Sequence, residues 1–303
     1  MRVFLTGATG VVGTRALPAL VAAGHEVTAV ARTDERAALV RRLGGQPVTV
    51  DLFGASAVAA AVVGHEAVVH LATNIPPMAR SARRGAWATN DRLRSEASAH
   101  LVDAALTAGA GRYVQEAICF PYLDAGRRWI DEDSPISHDD DLFRAAGAAE
   151  AQVRRFAEAG GAGVVLRFAQ FYAAGSSHTE TMNATARRRL NPFIGDPEGY
   201  VSMIHADDAG SAVAAALEAP SGPYNIADDE PLTRAEAGRV VAAALDKKPP
   251  RSVPKRLTDL SPSTRAVSRS LRVSHHRFTE ETGWTPAHPS IRTSWPTGTE
   301  EDR

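Results

Sequence analysis

Gly7, Gly10 and Gly13 recur at intervals of three directly after the apolar run from Arg2 to Thr6. The chemistry open to such a turn is the holding of an anion. One glycine makes the bend, one lets the backbone approach a pyrophosphate and one lets helix and strand pack closely, while loop N–H groups and the following helix N-terminus face the charge. Thr9, Val11 and Val12 complete the loop. A glycine turn between a strand and a helix reads as a dinucleotide site. Arg32 and Thr33 end the second apolar run, where an arginine suits the 2′-phosphate of NADP and an acid would suit the 2′-hydroxyl of NAD. NADP is the expected cofactor, with NAD second; a solvated surface arginine is the other reading of Arg32. Asp51 and Leu52 follow the third run, and Leu71, Ala72 and Thr73 end the fourth; all five are expected along the cofactor, Asp51 reading also as a turn former.

Two side chains are candidates for moving a proton. Glu116 is expected at the carboxyl end of the fifth strand, where the ligand crevice of an open α/β sheet lies, and desolvation there would raise its pKa into a usable range. A backbone-bonded or solvent-facing glutamate is the alternative. Tyr122, on the next loop, is either a donor or a packed aromatic. The acids of Trp129-Ile130-Asp131-Glu132-Asp133 read as a solvated turn, and His138-Asp139-Asp140-Asp141 as a helix N-terminus, so no metal site is expected. Arg187-Arg188-Arg189 reads as decoration of an exposed helix, with contact to an acidic substrate group as the other reading.

The elements that must position these groups alternate. Strands are expected at 2–6, 26–31, 47–50, 67–71, 112–116 and 163–167, with helices over 12–23, 34–43, 56–63, 87–108 and 141–159 between them. That order predicts an α/β fold, a doubly wound parallel Rossmann sheet. Residues 200–204 and 224–226 read as further strands, 185–190 as a basic helix and 206–219 as a longer one. Thr233 with Glu236 forms a capping box for a helix over 234–245. Residues 247–270 read as a linker or exposed arm, and those from Trp295 as disordered.

The length of 303 residues and 44% hydrophobic content suffice for one full core, with or without a smaller partner domain. A net charge of −1 gives no general pull toward nucleic acid or anionic lipid. The single Cys119 excludes an internal disulfide and fits a reducing compartment. No apolar run is long enough for a membrane, and the first strand leaves no room for a signal peptide, so a cytoplasmic protein is expected.

The chain resembles the extended short-chain dehydrogenase/reductase family, which includes NAD-dependent sugar epimerases and dehydratases. The resemblance rests on Thr6-Gly7-Ala8-Thr9-Gly10-Val11-Val12-Gly13, Asp51-Leu52, His70-Leu71-Ala72, Asn90, Leu166-Arg167-Phe168 leading to Tyr172, Met203-Ile204-His205-Ala206-Asp207-Asp208, Tyr224-Asn225-Ile226 and Gly283-Trp284-Thr285-Pro286. It implies a dinucleotide-binding domain over 1–168, with 200–227 returning to it. A smaller C-terminal substrate domain would be built from 169–199 and 228–295, with 296–303 a flexible tail and a homodimer as the family's habit. It places Asn90 and Phe168 at the cofactor, and Cys119, Gln170 and Tyr172 at a small-molecule substrate. The family's chemistry uses a Ser or Thr after strand five and a Tyr with a Lys four residues on, the lysine lowering the tyrosine pKa. Here Ala117-Ile118-Cys119 stands where serines are usual, and Glu150 aligns so that the tyrosine falls near Leu142 or Phe143 and the lysine near Ala146 or Gly147. No lysine occurs before Lys247, and no tyrosine has one four residues on. The leading expectation is an atypical NADP-dependent reductase of a small carbonyl or enone. A non-redox isomerase or cyclase, and a non-catalytic NADP-binding sensor or scaffold, remain alternatives.

Overall fold

The computed structural model describes residues 1–76, 83–137, 142–252 and 262–297. In chain order the strands are β1 (Arg2–Thr6), β2 (Glu26–Val30), β3 (Gln46–Val48), β4 (Ala67–His70), β5 (Arg112–Ile118), β6 (Trp129–Ile130) and β7 (Ala162–Phe168). They continue as β8 (Gln170–Tyr172), β9 (Tyr200–Val201), β10 (Met203–His205), β11 (Gly222–Ile226), β12 (Leu232–Thr233) and β13 (Arg272–Val273). Seven make one parallel sheet in the order β11-β7-β5-β4-β1-β2-β3. Such strands are covered on both faces and so read as continuous apolar runs, as in Val3-Phe4-Leu5 and Val164-Val165-Leu166. Leu5, Val69, Val114 and Leu166 face one cluster, and Phe4, Val68, Tyr113 and Val165 the other.

Helices α1 (Gly13–Ala22), α2 (Asp34–Arg42) and α3 (Ala55–Val62) connect the first strands. The helix expected over 87–108 is subdivided into a 3₁₀ turn (Arg84–Trp87), α4 (Ala88–Arg92), a π turn (Leu93–Ala97) and α5 (Ser98–Ala108). The π turn has side-chain causes. The Leu93 carbonyl accepts from His70 Nε2 at 3.0 Å and Ser98 Oγ at 3.3 Å, while Arg94 is drawn inward to Glu116. Such single π turns gather at functional sites. The helix expected from 141 is α6 (Arg144–Glu158), and α7 (Ser177–Arg187) replaces the basic helix expected at 185–190. Arg187, Arg188 and Arg189 are exposed around its end.

The strand expected over 200–204 is two strands parted by Ser202, whose hydroxyl donates to Leu271 O and accepts from Val273 N. After it, α8 (Ala206–Ala215) is capped by His205 Nδ1, which accepts from Asp207 N, and β11 joins the main sheet beside β7. A third apolar cluster gathers Tyr172, Met182, Val201, Met203, Leu232, Val241, Ile291 and Trp295 away from that sheet. It unites pieces of 169–199 and 228–295, the segments expected as a small domain, with 200–205. Helices α9 (Arg234–Ala244), α10 (Pro262–Val267), α11 (His276–Thr282) and α12 (Ile291–Ser294) complete the chain. The capping box of Thr233 and Glu236 is present.

Two expectations about the C-terminal region are corrected. The stretch expected as an exposed arm contains α10 with Ala266 buried, and Ser270 is buried beyond it; 253–261 lie outside the described residues. Trp295 is packed, its ring stacked 5.5 Å from Tyr172 and its Nε1 donating to Asn183 Oδ1 at 2.9 Å, and Pro296 is buried; 298–303 lie outside the described residues. Among the described residues no helix is long and apolar enough to cross a membrane.

Candidate active site

The order of the sheet reverses between β1 and β4, and the glycine loop leaves β1 at that point, where open α/β sheets take their ligands. Gly7 has φ +78°, and a Cβ on it would lie 2.4 Å from the Leu71 carbonyl carbon. A Cβ on Gly13 would lie 2.0 Å from Gly7 O. These two glycines close the turn against β4 and α1. A Cβ on Gly10 would meet only Gly7 O, at 3.3 Å, so the outer side of the loop is bare backbone, with Gly10 and Val11 exposed. That cradle fits a pyrophosphate.

Arg32 is exposed just past β2 and has no side-chain partner among the described residues. Thr33 caps α2, its hydroxyl accepting from Arg36 N at 3.3 Å. Asp51 Oδ1 accepts from Phe53 N at 3.0 Å, the geometry of a turn former, and Leu52 O accepts from His100 Nδ1. Leu71 abuts Gly7, Ala72 is half-buried and Thr73 is exposed. Asn90 is buried, and its Oδ1 accepts from Asn74 N at 3.0 Å, which pins the loop leaving β4. Phe168 is buried at the end of β7.

Behind the loop runs a buried polar chain that local sequence patterns did not expose. Burial lowers the His70 pKa to about 4, so the ring is neutral. Its Nε2–H donates to Leu93 O, leaving Nδ1 to accept from the Thr6 hydroxyl at 2.6 Å. Arg94 Nη2 donates to both oxygens of Glu116, at 2.7 and 2.9 Å, with both residues buried. Burial pushes the Glu116 carboxyl up and Arg94 pulls it down. The expectation of a free acid or base at the strand end is corrected here, since β5 runs on to Ile118 and Glu116 is the counter-ion of a buried guanidinium.

Tyr122 is wholly buried. Its hydroxyl donates to Asn225 Oδ1 at 2.8 Å and accepts from Arg167 Nη1 at 2.8 Å, while Arg167 forks onto Glu150 through Nε and Nη2 at 3.0 and 2.8 Å. Burial raises this phenol despite the arginine, so a tyrosine beside a basic group is present without being ionisable at ordinary pH. With no exposed surface and both hydrogen bonds engaged, it sits as a packed aromatic, the second of the two readings expected for it. Cys119 is also buried, its thiol raised by burial and donating to Arg167 O. Tyr172 is wholly buried, bonded to Ser294 Oγ at 2.8 Å and stacked on Trp295, which makes it core in place of the expected pocket residue. Gln170 alone of the three expected substrate contacts keeps an accessible side chain; its Nε2 donates to His178 Nε2 at 3.0 Å.

Glu132, expected in a solvated turn, is buried, accepts from Asn225 N at 2.8 Å and lies 3.5 Å from Arg277. His138 to Asp141 lie outside the described residues. His205, Asp207 and His288 bring ligand atoms within 4.8 Å of one another, but His205 Nδ1 already caps α8 and Asp207 pairs with Arg15 at 3.3 Å. At the start of α6, Phe143 and Ala146 are buried and Leu142 and Gly147 half-buried. The guanidinium carbon of Arg269 lies 5.6 Å from the Phe143 ring centroid. Nothing local in the sequence had pointed to Arg269, Arg94, Arg234 or Asp228.

The model of the NAD dependent epimerase/dehydratase family matches residues 3–227. The chain belongs to that family. A relative from Streptomyces sp, the 3-diazoavenalumate denitrifying reductase, is 36% identical over 96% of this chain and 98% of its own length. Solved structures share the fold. A human epimerase family protein with NADPH superposes with a TM-score of 0.77 at 24% identity, covering 97% of this chain and 98% of that one. A double mutant of a dTDP-glucose 4,6-dehydratase from Streptomyces venezuelae, with NAD bound, superposes with a TM-score of 0.76 at 19% identity, covering 97% and 95%. Membership and a reductase relative along the whole chain make this member of the epimerase/dehydratase family an NAD(P)-dependent oxidoreductase.

Proposed function

We propose that the chain is an NADP-dependent reductase whose acceptor takes a hydride without a proton from the protein. The observation that carries this reading is the pairing of a complete glycine cradle with hydrocarbon at the start of α6. Gly7, Gly10 and Gly13 would hold the pyrophosphate, and the unpartnered fork of Arg32 suits a 2′-phosphate. When bound, the reduced nicotinamide supplies a hydride. Asn90 fixes the loop after β4, and the buried Arg94–Glu116 pair holds the helix segment that carries Asn90 against β5.

A carbonyl or enone becomes an alkoxide or enolate on receiving hydride and must then find a proton. Tyr122, Glu116 and Cys119 are each buried and engaged, so none of these three is placed to supply it. An aryl diazonium ion makes no such demand. Hydride forms a C–H bond at the carbon bearing nitrogen, the C–N bond breaks, and N₂ leaves with its electron pair. Two electrons pass to the arene, and both products are neutral at the reacting atoms. The relative named for a diazo compound supports this acceptor class for the present chain.

The test is an anaerobic assay with 4-deuterated NADPH and an aryl diazonium salt, with an aldehyde and an enone in parallel. Arene carrying cofactor deuterium at the former C–N position, together with stoichiometric N₂, is the expected result. Reduction of the aldehyde or enone alone would return the acceptor to a carbonyl. Tight NADPH binding without consumption by any of the three would favour the scaffold reading.

A further inference from the structure

Arg269 reaches the carboxyl edge of the sheet from the far end of the sequence. Its Nη1 donates to Phe120 O at 3.3 Å and Tyr122 O at 3.5 Å, main-chain oxygens of the loop that leaves β5. Its guanidinium carbon sits 5.6 Å from the ring centroid of Phe143, at the start of α6. The side chain is half-buried, and among the described residues no carboxylate pairs with it. Nε and Nη2 therefore present an oriented, unused fork beside the hydrocarbon where the family's phenol is expected.

A second guanidinium lies behind it. Arg234 is 3% exposed, its Nη2 donates to Arg269 O at 2.6 Å, and its Nη1 is buried with no hydrogen-bond partner among the described residues. Burial lowers it to about 10, with Asp124 and Asp196 near enough to oppose the shift but not bonded to it. A buried, unpaired cation is costly. Two arginines joined through one peptide, neither with an acid partner among the described residues, make a positive field that an anion would complete.

We propose that Arg269, reinforced by Arg234, anchors a carboxylate on the substrate. The reading rests on the reductase assignment for calling the ligand a substrate; the binding itself does not depend on turnover. Arginine is suited to the task because its planar fork matches a carboxylate with two parallel bonds, while its Nη1 stays tied to the loop.

The experiment is calorimetric titration of the full chain, saturated with oxidised NADP, using 3-phenylpropanoate and its neutral amide as probes. A hydrogen bond to a charged partner contributes roughly 1.5–3 kcal/mol, or ~10–100-fold in affinity. The wild type should bind the carboxylate at least about tenfold more tightly than the amide. Arg269→Gln should remove that preference, with an unchanged thermal unfolding midpoint and unchanged NADP affinity showing that the fold is intact. Arg269→Lys should restore part of it, as a point charge without the fork. Equal binding of the two probes by the wild type, absence of binding by either, or a preference that survives Arg269→Gln would overturn the proposal. Because no hydride moves with oxidised cofactor, failure here is separate from failure of the deuterium-transfer assay.

Discussion

Replacing Asp228 by asparagine should stabilise the protein, and by more at alkaline pH than at acid pH. Asp228 follows β11, is 1% exposed, and neither of its carboxylate oxygens has a hydrogen-bond partner among the described residues. Burial raises its pKa from 3.8 to about 9, with the Asp229, Glu230 and Asp208 charges adding to the rise and the nearby Glu230 amide, short of a full hydrogen bond, opposing it. Between those two values the folded state holds a proton that the unfolded chain has released. The stability this group contributes is complete below 3.8 and is lost as pH climbs through about 9. The slope within the window is about 1.4 kcal/mol per pH unit for one proton. Asparagine has the same shape and no titration, so the variant's stability should be flatter with pH by up to that slope. The gap between variant and wild type should widen by roughly 3–4 kcal/mol between pH 5 and pH 8. Urea unfolding at several pH values, read as the difference between the two proteins, isolates the Asp228 proton because every other titrating group is shared. Parallel curves would refute the assignment of a neutral, buried Asp228.

Two further outcomes follow from the site. Arg32→Glu should weaken NADPH binding by ~10–100-fold and leave NADH binding unchanged or improved, measured by fluorescence titration; equal affinity of the wild type for both would dismiss Arg32 as the reader of the 2′-phosphate. Glu116→Gln should destabilise the fold by about 3–5 kcal/mol by stranding Arg94, and Arg94→Met added to it should recover much of the loss. Denaturation showing no cost for the single change would mean that the pair is not buried as described.

The sequence was most legible where structure is local or doubly buried. A parallel strand covered on both faces must be apolar along its length, so β1, β4 and β7 announced themselves, and Gly7, Gly10 and Gly13 lie within one turn. The chemistry of the interior was illegible because its pairs span the chain. Arg94 meets Glu116 22 positions on, Tyr122 meets Asn225 across 103, and Arg269 meets the Phe120 carbonyl across 149. None of these pairings has a period. Glu116, Tyr122 and Tyr172 invited functional readings because type and strand end were visible while burial was not. Trp295 shows the converse error: position near a terminus suggested disorder, yet one indole stacked on Tyr172 and bonded to Asn183 is enough to hold the chain there.

These buried pairs also bear on what the cleft can do. A phenol serves as an acid–base group when a neighbouring cation outweighs its desolvation. At Tyr122 the balance runs the other way: Arg167 is 2.8 Å away, but its charge is answered by the Glu150 fork, and the phenol stays raised. Glu116 is held by Arg94 in the same manner. The ionisable groups near the ends of β5 and β7 are thus committed to one another. Arg269 is different, because among the described residues only its Nη1 is committed, and to neutral carbonyls. A guanidinium fork can orient an anion by two parallel hydrogen bonds. An enzyme arranged this way would favour an acceptor whose reduction is complete when hydride arrives, and would recognise it by a charge remote from the reacting carbon.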